Sequence, residues 1–267
     1  MIRKTISSGR AKPAPSRRTA LRAALAGVGA VSLAGCDRLS NNAAFVDVLK
    51  SAQNLSHGVQ RIVAGRKAMA QEFSQADVAA HFKANGTLMP TDADYQVLVK
   101  DGFKDWKLQI GGLVEKPAAF TLAELRAMPA RTQITRHDCV EGWSCIGQWK
   151  GVRMSHLLNL AQVRPEAKFA VFHCLDMMEE DDEDTLYYES VDLDDAFHEQ
   201  TILAWELNGK PLPVENGAPL RARIERQLGY KQPKYLHRVE LVASFDELAG
   251  GKGGYWEDQG YNWYGGI

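Results

Sequence analysis

Between Trp106 and Val242 the sequence keeps changing its hydrophobic period, passing from short alternating or apolar runs to single short helical stretches without a regular strand–helix–strand rhythm. That pattern excludes a doubly wound parallel sheet and predicts a mixed, strand-rich α+β domain with short helices. Trp106-Lys107-Leu108-Gln109-Ile110 alternates as a strand, and Gly111-Gly112 is expected to break it. Thr121-Leu122-Ala123-Glu124 reads as a capping box, with Phe120 and Leu125 as its hydrophobic staple and a helix running to about Met128 before Pro129. Val152 to Val163 has helical spacing, Phe169 to Cys174 reads as a buried strand, and Thr201 to Leu207 leads into a tight turn at Asn208-Gly209. Leu220 to Glu225 and Tyr235 to Val242 alternate again. At 267 residues, 45% of them hydrophobic, the chain can bury one large core, and a formal net charge of −1 gives no case for a nucleic-acid partner.

The amino terminus reads as an export signal. Ser16-Arg17-Arg18-Thr19-Ala20-Leu21 is a twin-arginine pattern, and the apolar run from Ala23 to Gly35 is too short for a convincing membrane span. Leu33-Ala34-Gly35-Cys36 resembles a lipoprotein cleavage box that would make Cys36 a lipidated first residue; the alternative is an ordinary leader cut near the same place. The expected organisation is therefore a leader over 1–36, a helical linker over 37–84 and the main domain over 85–267. In the linker Phe45, Val48, Leu49, Ala52, Leu55, Val59, Ile62 and Val63 recur at helical spacing, which predicts helices to about Phe82, interrupted at Gly58 and Gly65. The twin-arginine route carries folded proteins, so a cofactor can be inserted before export. The expected location is the periplasm, with a lipid anchor and Asp37 favouring the inner membrane. The acidic run from Glu179 to Asp184 reads as a solvated loop. Without Cys36, the odd set Cys139, Cys145 and Cys174 leaves at least one thiol outside an intramolecular disulfide in an oxidising compartment.

Two stretches carry chemistry. Arg136-His137-Asp138-Cys139-Val140-Glu141-Gly142-Trp143-Ser144 sets one thiol among charged, aromatic and glycine residues. Cys139 is either a metal ligand, with Arg136 and His137 supplying a positive field, or a small buried hydrophobe. Further on, Arg221, Arg223, Arg226, Lys231, Lys234 and Arg238 gather positive charge in an otherwise balanced chain. They either receive a phosphate or decorate the exposed face of a strand.

These stretches resemble the sulfite oxidase superfamily of molybdopterin enzymes, in its bacterial periplasmic, methionine-sulfoxide-reductase branch. The resemblance rests on the Cys139 loop, Tyr187-Tyr188-Glu189-Ser190, Asn216-Gly217-Ala218-Pro219-Leu220-Arg221 and Gly229-Tyr230-Lys231-Gln232-Pro233-Lys234, which stand in the family's order from about Asn85 onward. It implies molybdenum–molybdopterin as cofactor, Cys139 as the metal's protein ligand, and Asn216, Arg221, Lys231, Gln232, Pro233 and Lys234 as cofactor contacts. Cys174 falls where the family has a serine or threonine contact. Glu141 matches an acidic residue near the metal and would handle a proton. The typical sulfite oxidase has Ala-Gly-Asn-Arg-Arg after its cysteine where this chain has Val140-Glu141-Gly142-Trp143-Ser144, so arginines suited to a sulfite dianion are missing. The implied reaction is two-electron oxygen-atom transfer on a sulfoxide or related S- or N-oxide, small or protein-bound; the alternatives are a sulfite-oxidase-like dehydrogenase and an inactive cofactor-binding lipoprotein.

A zinc site built from His137, Cys139, Cys145, His173 and Cys174 is a rival reading, with spacing that matches no standard zinc pattern. The chain carries no haem-attachment motif, iron–sulfur spacing or dinucleotide fingerprint. Its electrons are therefore expected to pass through a separate protein, an inner-membrane cytochrome being one candidate.

Overall fold

The computed structural model describes residues 42, 55, 57–63, 65, 67–179 and 185–267. The twin-arginine motif, Cys36 and its lipobox, most of the 37–54 stretch and the acidic run after Glu179 lie outside the described residues. Contacts divide the chain into two compact units, Met1–Ser56 and His57–Ile267.

Among the described residues of the second unit ten strands form two sheets. One contains β1 (Lys107–Gly112), β2 (Ala118–Thr121), β5 (Phe169–Met177), β6 (Leu186–Asp192) and β10 (Leu236–Val242), in the order β2-β1-β10-β5-β6. Its one parallel pair is β1 with β10. The other sheet is antiparallel and runs β3-β4-β7-β8, with β9 added to β7; these strands are β3 (Ala130–Cys139), β4 (Trp143–Arg153), β7 (Ile202–Leu207), β8 (Lys210–Pro211) and β9 (Arg221–Arg223). Short helices sit between them: α1 (Ala93–Lys100), α2 (Leu122–Ala127), α3 (Met154–Ala161), α4 (Leu193–Ala196) and α5 (Tyr255–Asp258). The mixed α+β expectation holds.

Local chemistry explains several boundaries. Thr121 and Glu124 complete the capping box of α2, each satisfying the other's backbone N–H. β7 is apolar on both faces because both are covered. Leu203 and Trp205 enter the main core with Leu108, Leu157, Leu158, Phe172 and Val239, while Ile202 and Ala204 pack on the other side with Phe82 and Trp149. The β7–β8 turn takes positive φ at both Asn208 and Gly209, as a tight hairpin turn requires. Gly111 and Gly112 do not break β1; they finish it, in register with Glu240 and Leu241.

The helical periodicity toward Phe82 is realised only in part. Residues 57–63 are helical, but with an inverted arrangement: Arg61 reaches Asp192 and Asp195 at 2.9 and 2.8 Å, while Ile62 and Val63 face solvent. Beyond Gly65 other partners claim the backbone. Glu72 bridges Thr135, Phe73 N–H donates to Ile134 O at 2.9 Å, and Ala79 N–H donates to Ile146 O at 3.0 Å. The Gln200 amide meets both polar backbone groups of Ala70. This strap covers an edge of β3 that would otherwise present unpaired hydrogen-bonding groups.

Candidate active site

β3 and β4 form a long hairpin whose register runs from Ala130 opposite Val152 to Cys139 opposite Trp143. Its tip is Val140-Glu141-Gly142: Gly142 adopts φ +85° and donates its N–H to Cys139 O at 3.0 Å, a geometry that favours glycine. Cys139 is thus the last residue of β3, held by sheet pairing at the wall of a cavity of about 190 Å³. The floor is polar and buried, with Asp176, Gln232 and Lys234; the mouth carries exposed Val140, Glu141 and Tyr261.

The positive field expected from Arg136 and His137 is absent; the cations that favour the thiolate are Lys83 and Arg221. Arg136 points to the opposite face of β3 and pairs with Asp138 at 2.9 Å. His137 shares the Cys139 face but is fully buried, and burial followed by Arg221 and Arg223 holds its pKa well below the usual 6.5. Burial also pushes the Cys139 thiol up, so the protein alone keeps it protonated. A soft metal ion at the sulfur would reverse that balance. Glu141 accepts a hydrogen bond from Trp143 Nε1 at 2.8 Å and faces the cavity mouth.

The six cations sort into two groups. Arg223 pairs with Glu225, Arg226 with Asp195, Arg238 with Glu240, and Lys231 with both Glu189 and Glu257. Arg221 and Lys234 form no ion pair among the described residues. Arg221, fully buried, donates only to Asn216 O and Asn85 Oδ1, both at 3.3 Å. Lys234 donates to the carbonyls of Asn85, Thr87 and Glu215. It lies along the turn at Gly217, where φ is +110° and a Cβ would come within 2.8 Å of the lysine side chain. Burial, reinforced by Arg223, lowers Arg221 to about 9; burial and Arg221 lower Lys234 to about 7. Arginines exposed on a strand face are therefore not what β9 carries.

A family model described as the oxidoreductase molybdopterin binding domain matches residues 94–247, more than half of the chain. The chain belongs to this family. It is 34% identical to a relative from Azospira oryzae provisionally named protein-methionine-sulfoxide reductase subunit YedZ1, over 94% of this chain and 88% of that one. It is 31% identical to the catalytic subunit of a protein-methionine-sulfoxide reductase from Campylobacter jejuni, over 64% of this chain and 61% of the relative. The solved sulfane dehydrogenase SoxCD of Paracoccus pantotrophus covers 53% of this chain and 39% of its own at 25% identity, with a TM-score of 0.46. The chain is thus a molybdopterin-binding oxidoreductase of the sulfite oxidase family.

The residues present fit an anionic, acceptor-rich cofactor. Two buried cations lack a carboxylate, and Asn216 Nδ2 and Arg221 Nε are buried without a hydrogen-bond partner. His137 Nδ1 lies 3.1 Å from Arg223 and 3.4 Å from Gln232 Oε1, and its Nε2 is also buried and unpartnered. A phosphate, with roughly two negative charges, supplies what these groups lack. Among the residues the sequence points to, Cys139, Glu141, Gln232, Pro233 and Lys234 line the cavity, while Asn216, Arg221, Lys231 and Cys174 do not. Cys174 is buried in β5, where burial raises its thiol well above 9. His137, Cys139, Cys145, His173 and Cys174 do not assemble a zinc centre, since no three histidine, cysteine or carboxylate side chains among the described residues are placed to hold a metal ion.

Sequence reasoning missed Asp176, whose Oδ1 is buried without a partner at the cavity floor and whose pKa burial raises to about 6. An aspartate inside the apolar run of β5 was the available signal. It also missed that Lys231 is neutralised internally. Although burial opposes its charge, Glu189 and Glu257 hold the ammonium above its usual pKa, while burial, opposed by Lys231, raises the pKa of Glu189 well above its usual value. Lys231→Met is expected to lower the unfolding free energy by about 3–5 kcal/mol, because the carboxylates lose their buried cation. Denaturant titration measures this, and a loss below about 1 kcal/mol would contradict the pairing.

The lowered pKa of Lys234 also sets a pH dependence. Its folded value of about 7 lies below its usual 10.5, so the unfolded chain binds the proton more tightly. The penalty for burying this charge is complete below pH 7 and fades as pH rises toward 10.5. In cofactor-free protein, the stability advantage of Lys234→Met over wild type should therefore shrink between pH 7 and 9.5, as read by melting temperature.

Proposed function

We infer that this oxidoreductase reduces sulfoxides, with methionine sulfoxide as the type of substrate, and that it works after export through the twin-arginine route, anchored by lipid at Cys36. The observation that carries the reaction is the composition of the cavity mouth: beside the Cys139 thiol stand Val140 and Glu141, an apolar side chain and an acid, where binding a sulfite dianion would call for cations. The long match to a relative named for protein-methionine-sulfoxide reductase supports the same reading.

When bound, the molybdenum cofactor supplies two-electron oxygen-atom transfer. A sulfoxide accepts two electrons and two protons, loses its oxygen as water and leaves a thioether. Cys139 would hold the metal, and Arg221, Lys234 and the buried, unpartnered Asn216 Nδ2 would hold the cofactor's anionic end. Glu141, fixed by the Trp143 indole, is placed to hold a proton at the mouth. Electrons come from a separate redox protein, a membrane cytochrome fitting a lipid-anchored enzyme. The test is turnover of N-acetylmethionine sulfoxide methyl ester by holoenzyme with a reduced dye as electron donor, alongside sulfite with an oxidised acceptor. Sulfoxide reduction without sulfite oxidation is expected; the converse would overturn the reading. Labelling by a radioactive fatty acid, lost in Cys36→Ala, tests the anchor.

A further inference from the structure

We propose that Trp256 and Tyr261, from the carboxyl-terminal segment, form an aromatic subsite that receives the S-methyl group of a neutral sulfoxide side chain and so determine substrate specificity. This rests on the sulfoxide reading above and deepens it.

Burial orders the lining of the cavity. Gln232, Lys234 and Asp176 lie at 6% exposure or less and form the polar floor that suits the cofactor. Tyr261, at 43%, and Val140, at 46%, define the mouth, with Trp256 partly exposed between floor and rim. Trp256 and Tyr261 pack with centroids 5.4 Å apart and planes inclined by 32°, and Tyr230 meets Tyr261 edge-on at 5.4 Å. The wall is thus made of ring surface. The Tyr230 hydroxyl is spent on Asn262 O at 2.8 Å, and the Tyr187 hydroxyl on Tyr230 O at 2.5 Å.

The wall is also held firmly. Glu257 of α5 is tied to Lys231 at 2.6 Å, Asp258 accepts from the Tyr188 hydroxyl, and Tyr261 N–H donates to Trp256 O at 2.9 Å. Leu228 N–H donates to Gly265 O at 2.8 Å, closing the segment onto the body of the domain.

A ring face carries negative charge density and attracts soft sulfur and the polarised methyl beside an S–O dipole. Glu141 at the same mouth disfavours an anion, and Lys234, the one cation lining the cavity among the described residues, is on the floor. The ligand this mouth takes is a neutral methyl sulfoxide with its methyl group on the rings.

The test uses holoenzyme labelled with fluorotryptophan and titrated with N-acetylmethionine sulfone methyl ester, a neutral methyl-sulfur analogue one oxidation step beyond the substrate. The resonance missing in Trp256→Phe should move saturably, and Tyr261→Ala should weaken binding about tenfold. Tyr261 is exposed, so that variant keeps its fold even if Trp256→Ala does not. In turnover, Trp256→Ala should raise KM for N-acetylmethionine sulfoxide methyl ester about tenfold while leaving KM for tetramethylene sulfoxide, which has no S-methyl group, nearly unchanged, and Trp256→Phe should restore most of the loss. A Trp256 resonance that stays fixed while the sulfone binds, or equal KM changes for both oxides, would overturn the subsite. Saturable binding at Trp256 without any sulfoxide turnover by wild type would instead overturn the parent reading and leave the subsite standing.

Discussion

Cys139→Ser, purified from a molybdate-replete host, is expected to keep its molybdopterin and to lose sulfoxide reduction by more than about a hundredfold, beyond what losing a group that merely supports a metal ligand costs. The two halves of this expectation have separate causes. The sulfur sits at the end of β3, whereas the groups proposed to grip an anionic cofactor, Arg221 and Lys234, belong to β9 and to the segment leading into β10. Removing the thiol leaves that grip intact. It also replaces a soft donor with a hydroxyl that stays protonated and weakly coordinating. Pterin content by fluorescence after oxidation and initial rates with a reduced dye measure the two halves. Turnover equal to wild type would refute Cys139 as the ligand.

Arg221→Met and Lys234→Met should move two observables in opposite directions. Each removes a buried charge that has no carboxylate partner, so cofactor-free protein should melt at the same temperature or higher. Each also removes a cation that an anionic cofactor needs, so molybdopterin occupancy should fall at least about tenfold, equivalent to a charge-assisted hydrogen bond. A residue serving only the fold would lower the melting temperature on substitution. A drop in cofactor-free stability with full occupancy would show that these cations are structural.

Arg221 and Arg223 show where the sequence stops being informative. Their alternation in Leu220 to Glu225 reads equally as an exposed strand face, yet all three residues of β9 are buried. Burial is decided by Trp149, which lies against both guanidiniums and is distant in sequence. The same limit applies to Lys231, whose partners Glu189 and Glu257 lie 42 and 26 residues away. The strap over β3 was hidden for another reason: a helix to Phe82 extends a spacing that ends at Val63, but beyond Gly65 β3 and Gln200 offer the backbone better partners. What depended on local chemistry was legible, including the α2 cap and the Asn208-Gly209 turn.

X-ray absorption at the molybdenum edge of purified wild type and Cys139→Ser tests the central claim most directly. Wild type should contain molybdenum near one atom per chain, with the variant showing one sulfur ligand fewer at the metal and unchanged pterin content. Identical sulfur coordination in the two proteins, or no molybdenum in the wild type, would contradict the assignment.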